Sequence, residues 1–106
     1  MDNTLSVLQL NTYLNRIMQS EELLQNISVY GEISSYKFSG PHAYFTLKDK
    51  DAQIQCNCFN AKKTYVPISD GESVIVRGSM DYYIKGGRLS LNISTIQPVG
   101  KGMLHI

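Results

Sequence analysis

From residue 27 onward the apolar side chains of this 106-residue chain return at every second position, and that period confines the region to β-strands. The clearest instance is HAYFTLKDKDAQIQCNCF, residues 42–59. Folded about a loop at 49–52, it sets Leu47 opposite Ile54, Phe45 opposite Cys56 and Ala43 opposite Cys58, an apolar face fit for a core. The other face pairs Lys48 with Gln53, Thr46 with Gln55, Tyr44 with Asn57 and His42 with Phe59. Rings and polar groups are therefore interleaved on the side that meets water.

The same period predicts five strands, over 27–36, 43–48, 53–59, 73–83 and 88–99. Gly31 and Gly78 interrupt two of them and mark bends, the means by which a small sheet turns and closes. Residues 61–68, AKKTYVPI, read as a helical turn stopped at Pro67, and IKGG at 84–87 supplies the last turn. Before the strands stands a helix with a written start. Ser6 is the N-cap, Gln9 closes a capping box, and Leu5 and Leu10 are placed as a hydrophobic staple. Val7, Leu10, Leu14, Ile17 and Met18 then form one stripe, which predicts that the helix lies on something apolar. SEELLQ at 20–25 reads as a second short turn capped by Ser20.

Three strands, a short connecting helix and two more strands is the order of the oligonucleotide/oligosaccharide-binding (OB) fold. The expectation is thus a mainly β protein, a five-stranded Greek-key OB barrel preceded by an N-terminal α-helix, with an SH3-like barrel as the structural alternative. Residues 1–26 form the helical segment, 27–99 the barrel, and 100–106 a linker.

Composition excludes several other classes. No apolar run approaches the roughly 18 residues of a membrane helix, and the start, MDNTLSVLQL, has no basic segment leading into an apolar one, so a cytoplasmic protein without membrane contact is expected. Cys56 and Cys58 alternate within a strand, which suits small buried hydrophobes better than a disulfide or the C-x₂₋₄-C knuckle of zinc. His42 has no acid partner in a motif, and neither a phosphate loop nor a nucleophile elbow occurs. No catalytic residue, metal site or cofactor is expected.

Charge is distributed unevenly. Residues 1–35 hold Arg16 against Asp2, Glu21, Glu22 and Glu32, a balance of −3. Residues 36–63 hold Lys37, Lys48, Lys50, Lys62 and Lys63 against Asp49 and Asp51, and residues 73–106 hold Arg77, Lys85, Arg88 and Lys101 against Asp81, each +3. The β-rich parts are locally basic, which suits a polyanion.

In an OB barrel the outer face of strands 2 and 3 is the usual binding surface, flanked by the loops between strands 1 and 2 and strands 4 and 5. Tyr44 and Phe59, with Tyr36 and Phe38 near the end of the first strand, are candidate platforms for stacked bases. Lys37, Lys48, Lys85 and Arg88 can neutralise phosphates, while His42, Gln55 and Asn57 share the face and the two amides can hydrogen-bond base edges or backbone. Adjacent Tyr82 and Tyr83 point to opposite faces, so one of them, Tyr83, joins the candidate site. A bend after Gly31 resets the parity that decides whether Tyr36 and Phe38 face ligand or core.

The segments LSVLQLNTYLNRIM (5–18), VYGEISSYK (29–37), HAYFTLKDKDAQIQCNCF (42–59) and VIVRGSMDYYIKGGRLSL (74–91), in this order, together resemble the N-terminal region of the bacterial exodeoxyribonuclease VII large subunit. That resemblance implies an OB domain, preceded by a helix, that binds single-stranded DNA for a nuclease whose catalytic region follows later in the chain. It implies an enzyme that degrades single-stranded DNA from both ends to oligonucleotides, with several copies of a small subunit gathered by a further helical region. Both regions would follow residue 106, with GKGMLHI leading out of the OB domain. Many relatives carry a basic residue where this chain has Gln55, so a phosphate contact there is reduced to a neutral one. The alternative is an OB module whose outer face is covered by protein: a second copy, the small subunit or the nuclease domain.

Overall fold

A computed structural model describes residues 3–59, 61 and 68–99. Helix α1 (Val7–Ser20) is followed by a 3-10 turn (Glu22–Gln25) and five strands, β1 (Ile27–Ser39), β2 (His42–Lys48), β3 (Gln53–Cys58), β4 (Ser73–Tyr83) and β5 (Arg88–Pro98). The strands close a barrel in the order β1-β2-β3-β5-β4, antiparallel except where β3 meets β5. This is the expected five-stranded OB arrangement behind an N-terminal helix. Most of the turn expected over 61–68, and all of 100–106, lie outside the described residues.

The register of the β2–β3 hairpin is the one that alternation dictates, from Ala43 opposite Cys58 to Lys48 opposite Gln53. Its loop is held by Asp49, whose carboxylate accepts from the amides of Asp51 and Ala52, both at 2.8 Å, while its own amide donates to the Ala52 carbonyl. The inward residues Phe45, Leu47, Cys56 and Cys58 join Ile33, Val74, Val76, Met80, Leu91 and Ile93 in one core. Fully burying a side chain such as Phe45 or Leu91 contributes about 1.5–3 kcal/mol. Burial also pushes the Cys56 thiol up to about 12, so it is an inert packing group.

Two bends close the sheet. The β4–β5 register shifts at Arg77/Gly78, and a Cβ on Gly78 would overlap the Asn92 carbonyl, so only glycine permits that approach. The bend expected after Gly31 lies further on. Gly31 pairs regularly with Val74, and the shift falls between Ser34 and Lys37, with Ser35 in the left-handed region at φ 57°. The Asp70 carboxylate accepts from the Tyr36 amide at 2.8 Å and so gives this bulge a partner for an N–H outside the ladder.

The capping box of α1 forms as written: the Ser6 hydroxyl accepts from the Gln9 amide, and the Gln9 side chain accepts from that of Ser6. Ser20, however, is no cap of the next turn. Its hydroxyl donates back to the Ile17 carbonyl, and Glu21 stands at the N-cap without a side-chain bond.

The packed face of α1 also differs from the expected stripe. Asn11 is 8% exposed, with Leu14, Asn15 and Met18 half-buried beside it, whereas Val7 is 76% and Ile17 44% exposed. The cause lies in β4. Strand β1 begins at Ile27, opposite Gly78, so residues 79–83 run past its end and leave a row of edge carbonyls. Gln25, Asn15 and Asn11 donate side-chain N–H groups to the carbonyls of Met80, Tyr82 and Ile84, at 3.4, 2.8 and 2.9 Å. Asn15 and Gln19 also donate to the Asp81 carboxylate. Alternate carbonyls accept from successive amides, so side chains stand where a neighbouring strand would be. Covering a strand edge in this way both satisfies the backbone and blocks pairing with another chain.

Candidate nucleic-acid interface

The outer faces of β2 and β3, the end of β1 and the β4–β5 hairpin enclose a groove of 680 Å³. Its lining includes Lys37, Tyr44, Gln55, Asn57, Tyr83 and Arg88, together with Ser39, Leu89 and Ser90. Several are placed by their partners on neighbouring strands. Lys37 pairs with Tyr44 because the bulge in β1 returns it to the outer face, and Tyr44 pairs with Asn57 across the hairpin. Tyr83 and Arg88 are partners at the end of β4 and the start of β5, with the guanidinium 5.4 Å from the ring centre. The Asn57 amide reaches the Asn92 side chain at 3.5 Å, beside the short parallel pairing that joins β3 to β5.

Chemically, the groove is a polar floor with rings and cations around it. Among the described residues no acidic side chain lines it, while Lys37 and Arg88 bring positive charge. Tyr83 is 47% exposed, leaving ring surface open to a flat partner. Next to the groove the aromatic surface continues: His42 meets Tyr44 edge-on at 6.5 Å and Phe59 at 5.2 Å, and Phe59 is 48% exposed.

The remaining sequence candidates sit elsewhere. Tyr36 stacks on the core ring of Phe45 at 5.8 Å, and Phe38 meets Tyr36 edge-on at 5.6 Å, so the bulge turns both away from the Tyr44 face. Lys48, at the far end of β2, borders a separate cavity of 170 Å³ with Tyr30 and Ile54. Lys85 is exposed in the β4–β5 turn, outside the groove lining. Ser39, Leu89 and Ser90 were not singled out by sequence. Leu89 and Ser90 follow a recognised turn, but their place beside β3 depends on barrel closure, for which no local signal exists. Among the described residues, no three His, Cys, Asp or Glu side chains come together to hold a metal ion, and no helix is long and apolar enough to cross a membrane.

Comparison with known proteins agrees with this architecture. The family described as an OB-fold nucleic acid binding domain matches residues 5–97. The exodeoxyribonuclease 7 large subunit of Alkaliphilus oremlandii is 40% identical over 96% of this chain, and that of Clostridium acetobutylicum 41% over 95%. In both cases the chain spans 26% of the relative's length. Among solved structures, a replication protein A heterotrimer bound to ssDNA superposes with a TM-score of 0.62 at 15% identity, covering 74% of this chain and 60% of that one. The Stn1-ten1 complex of S. pombe gives 0.61 at 13% identity, with the same two coverages. These distant likenesses show the fold; the sequence matches show descent. The chain belongs to the family of OB-fold nucleic acid binding domains, and its curated homologues are exodeoxyribonuclease 7 large subunits.

Proposed function

We propose that this chain is the single-stranded DNA-binding module of an exodeoxyribonuclease VII large subunit, noncatalytic in itself, and that the 680 Å³ groove is its DNA site. The observation that carries this reading is the convergence of Tyr44, Tyr83, Lys37 and Arg88 around the amides of Gln55 and Asn57, with no acidic group among the described lining residues. Cations capture the phosphate backbone, rings hold unstacked bases, and Gln55 and Asn57 offer hydrogen bonds that any base can use. Duplex is disfavoured because its bases are already stacked on one another. Stacking accepts every base, so sequence preference is weak. The module then delivers single strands to a nuclease region elsewhere in the parent enzyme, which degrades them to oligonucleotides and works with a small subunit bound outside these residues.

The test is fluorescence anisotropy of a labelled oligothymidine of about 20 nucleotides, long enough for one OB fold, against a duplex of equal length. The expected result is salt-sensitive binding of the single strand, weakened by Tyr44→Ala with the fold intact. Duplex binding as tight as single-strand binding would exclude this mechanism. Absence of binding at low salt would favour the same face as a protein interface, whose attachment is far less sensitive to ionic strength.

A further inference from the structure

We propose that Asn11 and Asn15 are positioning residues for the groove: by holding the free end of β4 they place Tyr83 and Arg88 where these complete the nucleic-acid site. This rests on the groove reading. The argument begins with the edge left where β1 ends. Past Gly78 no strand lies alongside β4, and past Met80, where the β3–β5 pairing has also ended, the hairpin is a two-stranded ribbon, which alone is marginally stable in water. Alternate backbone groups serve opposite sides of it. The Tyr83 carbonyl accepts from the Gly87 amide within the turn, while the carbonyls of Tyr82 and Ile84, on either side in sequence, accept from Asn15 and Asn11. Tyr83, one of the two rings in the groove lining, is therefore flanked by two backbone groups tied to α1.

The helix gives up packing to make these contacts. A leucine at position 11 would bury more apolar surface, and a different rotation of α1 would cover more of Val7 and Ile17, both now exposed. Plain edge protection accounts for covering β4. Two carboxamides one turn apart, aimed at the carbonyls that bracket Tyr83, account for more: they fix the hairpin tip along its length. Lateral freedom at the tip would separate Tyr83 from Tyr44 and Lys37 across the groove.

The experiment uses the 106-residue chain and Asn11→Leu, which keeps side-chain bulk and removes the donor. Oligothymidine anisotropy is measured in the unsubstituted, Tyr44→Ala and Tyr83→Ala/Arg88→Ala backgrounds, alongside hydrogen exchange of the Gly87 amide by NMR without DNA. The expected result is a loss of affinity of about 3- to 10-fold in the first two backgrounds and none in the third, with Gly87 exchange accelerated by about 10-fold. An equal loss in all three backgrounds would show a general effect on folding and overturn the proposal, as would unchanged Gly87 exchange. If the unsubstituted chain bound no DNA while Gly87 exchange still rose, the groove reading would fail and the link to DNA with it, though the hold on the tip would stand. Should Asn11→Leu not fold, Asn15→Ala, at a half-buried position, gives the same readings.

Discussion

The Arg88 guanidinium lies over the Tyr83 ring, 5.4 Å from its centre, and the two residues are direct partners across the β4–β5 hairpin. Tyr83 is still 47% exposed beside the cation, so on the proposed reading a base would stack on the ring while the same guanidinium meets its phosphate. Tyr83→Ala is expected to weaken oligothymidine binding by about 5- to 150-fold, the equivalent of roughly 1–3 kcal/mol per stacked base. Tyr83→Phe retains the ring and should stay near the unsubstituted affinity. A loss in Tyr83→Phe as large as in Tyr83→Ala would assign the effect to the hydroxyl and remove stacking from the account.

Lys37 contributes charge without a ring, and its role is read from salt. On a single strand each neutralised phosphate adds about 0.7 to the slope of log affinity against log salt. Lys37→Gln is expected to reduce the slope by about that amount, with similar loss on every sequence. Lys50, in the turn at the far end of the β2–β3 hairpin, is the control, and Lys50→Gln should leave the slope unchanged. Equal effects of both substitutions would mean diffuse attraction rather than a contact in the groove.

Local elements were the legible ones. The β2–β3 register follows from alternation over consecutive residues, and the capping box from Ser6 and Gln9 three positions apart, so each is decided by near neighbours. The faces of Tyr36 and Phe38 were not, because the bulge at Ser34–Lys37 is held by Asp70, 34 positions from Tyr36 in the chain. The orientation of α1 was hidden for the same reason. Its apolar stripe implied burial of Val7 and Ile17, but backbone carbonyls 67 or more positions away required amides instead. Within the groove lining, Tyr44, Gln55 and Asn57 were readable from one hairpin. Ser39, Leu89 and Ser90 became neighbours of that face only on closure of the barrel.

The approach of Gly78 to Asn92 supports a third prediction, on stability. A methyl group at position 78 would meet the Asn92 carbonyl oxygen and carbon and the Ile93 Cα, all backbone atoms that cannot rotate away. Gly78→Ala must therefore displace β5 from β4 at the point where the register shifts. The expected cost is about 3 kcal/mol, the upper part of the usual range for overpacking, seen as a lower midpoint in denaturant or thermal unfolding. Gly40, with nothing within 4 Å of a Cβ, is the contrast, since there any cost comes from its positive φ of 62° alone. A Gly78→Ala variant as stable as the parent chain would mean that the two strands can separate without penalty at this bend.

Asp49 supports a prediction on pH. Its carboxylate accepts first from the Asp51 amide and then from that of Ala52, and these bonds, with the nearby Lys50 charge, hold its pKa below the ordinary 3.8. Because the folded value is depressed, the stabilisation is fully present above the unfolded value and disappears as pH falls through the lower folded value. The window is therefore acidic, below pH 3.8, and neutral solution lies wholly on the stabilised side. Asp49→Asn keeps an acceptor oxygen but removes the charge, so its melting temperature should vary less over this acid window than that of the parent chain. Thermal unfolding followed from about pH 2 to 6 gives the comparison. Identical pH profiles for the two proteins would show that the hairpin turn draws nothing from the ionised carboxylate.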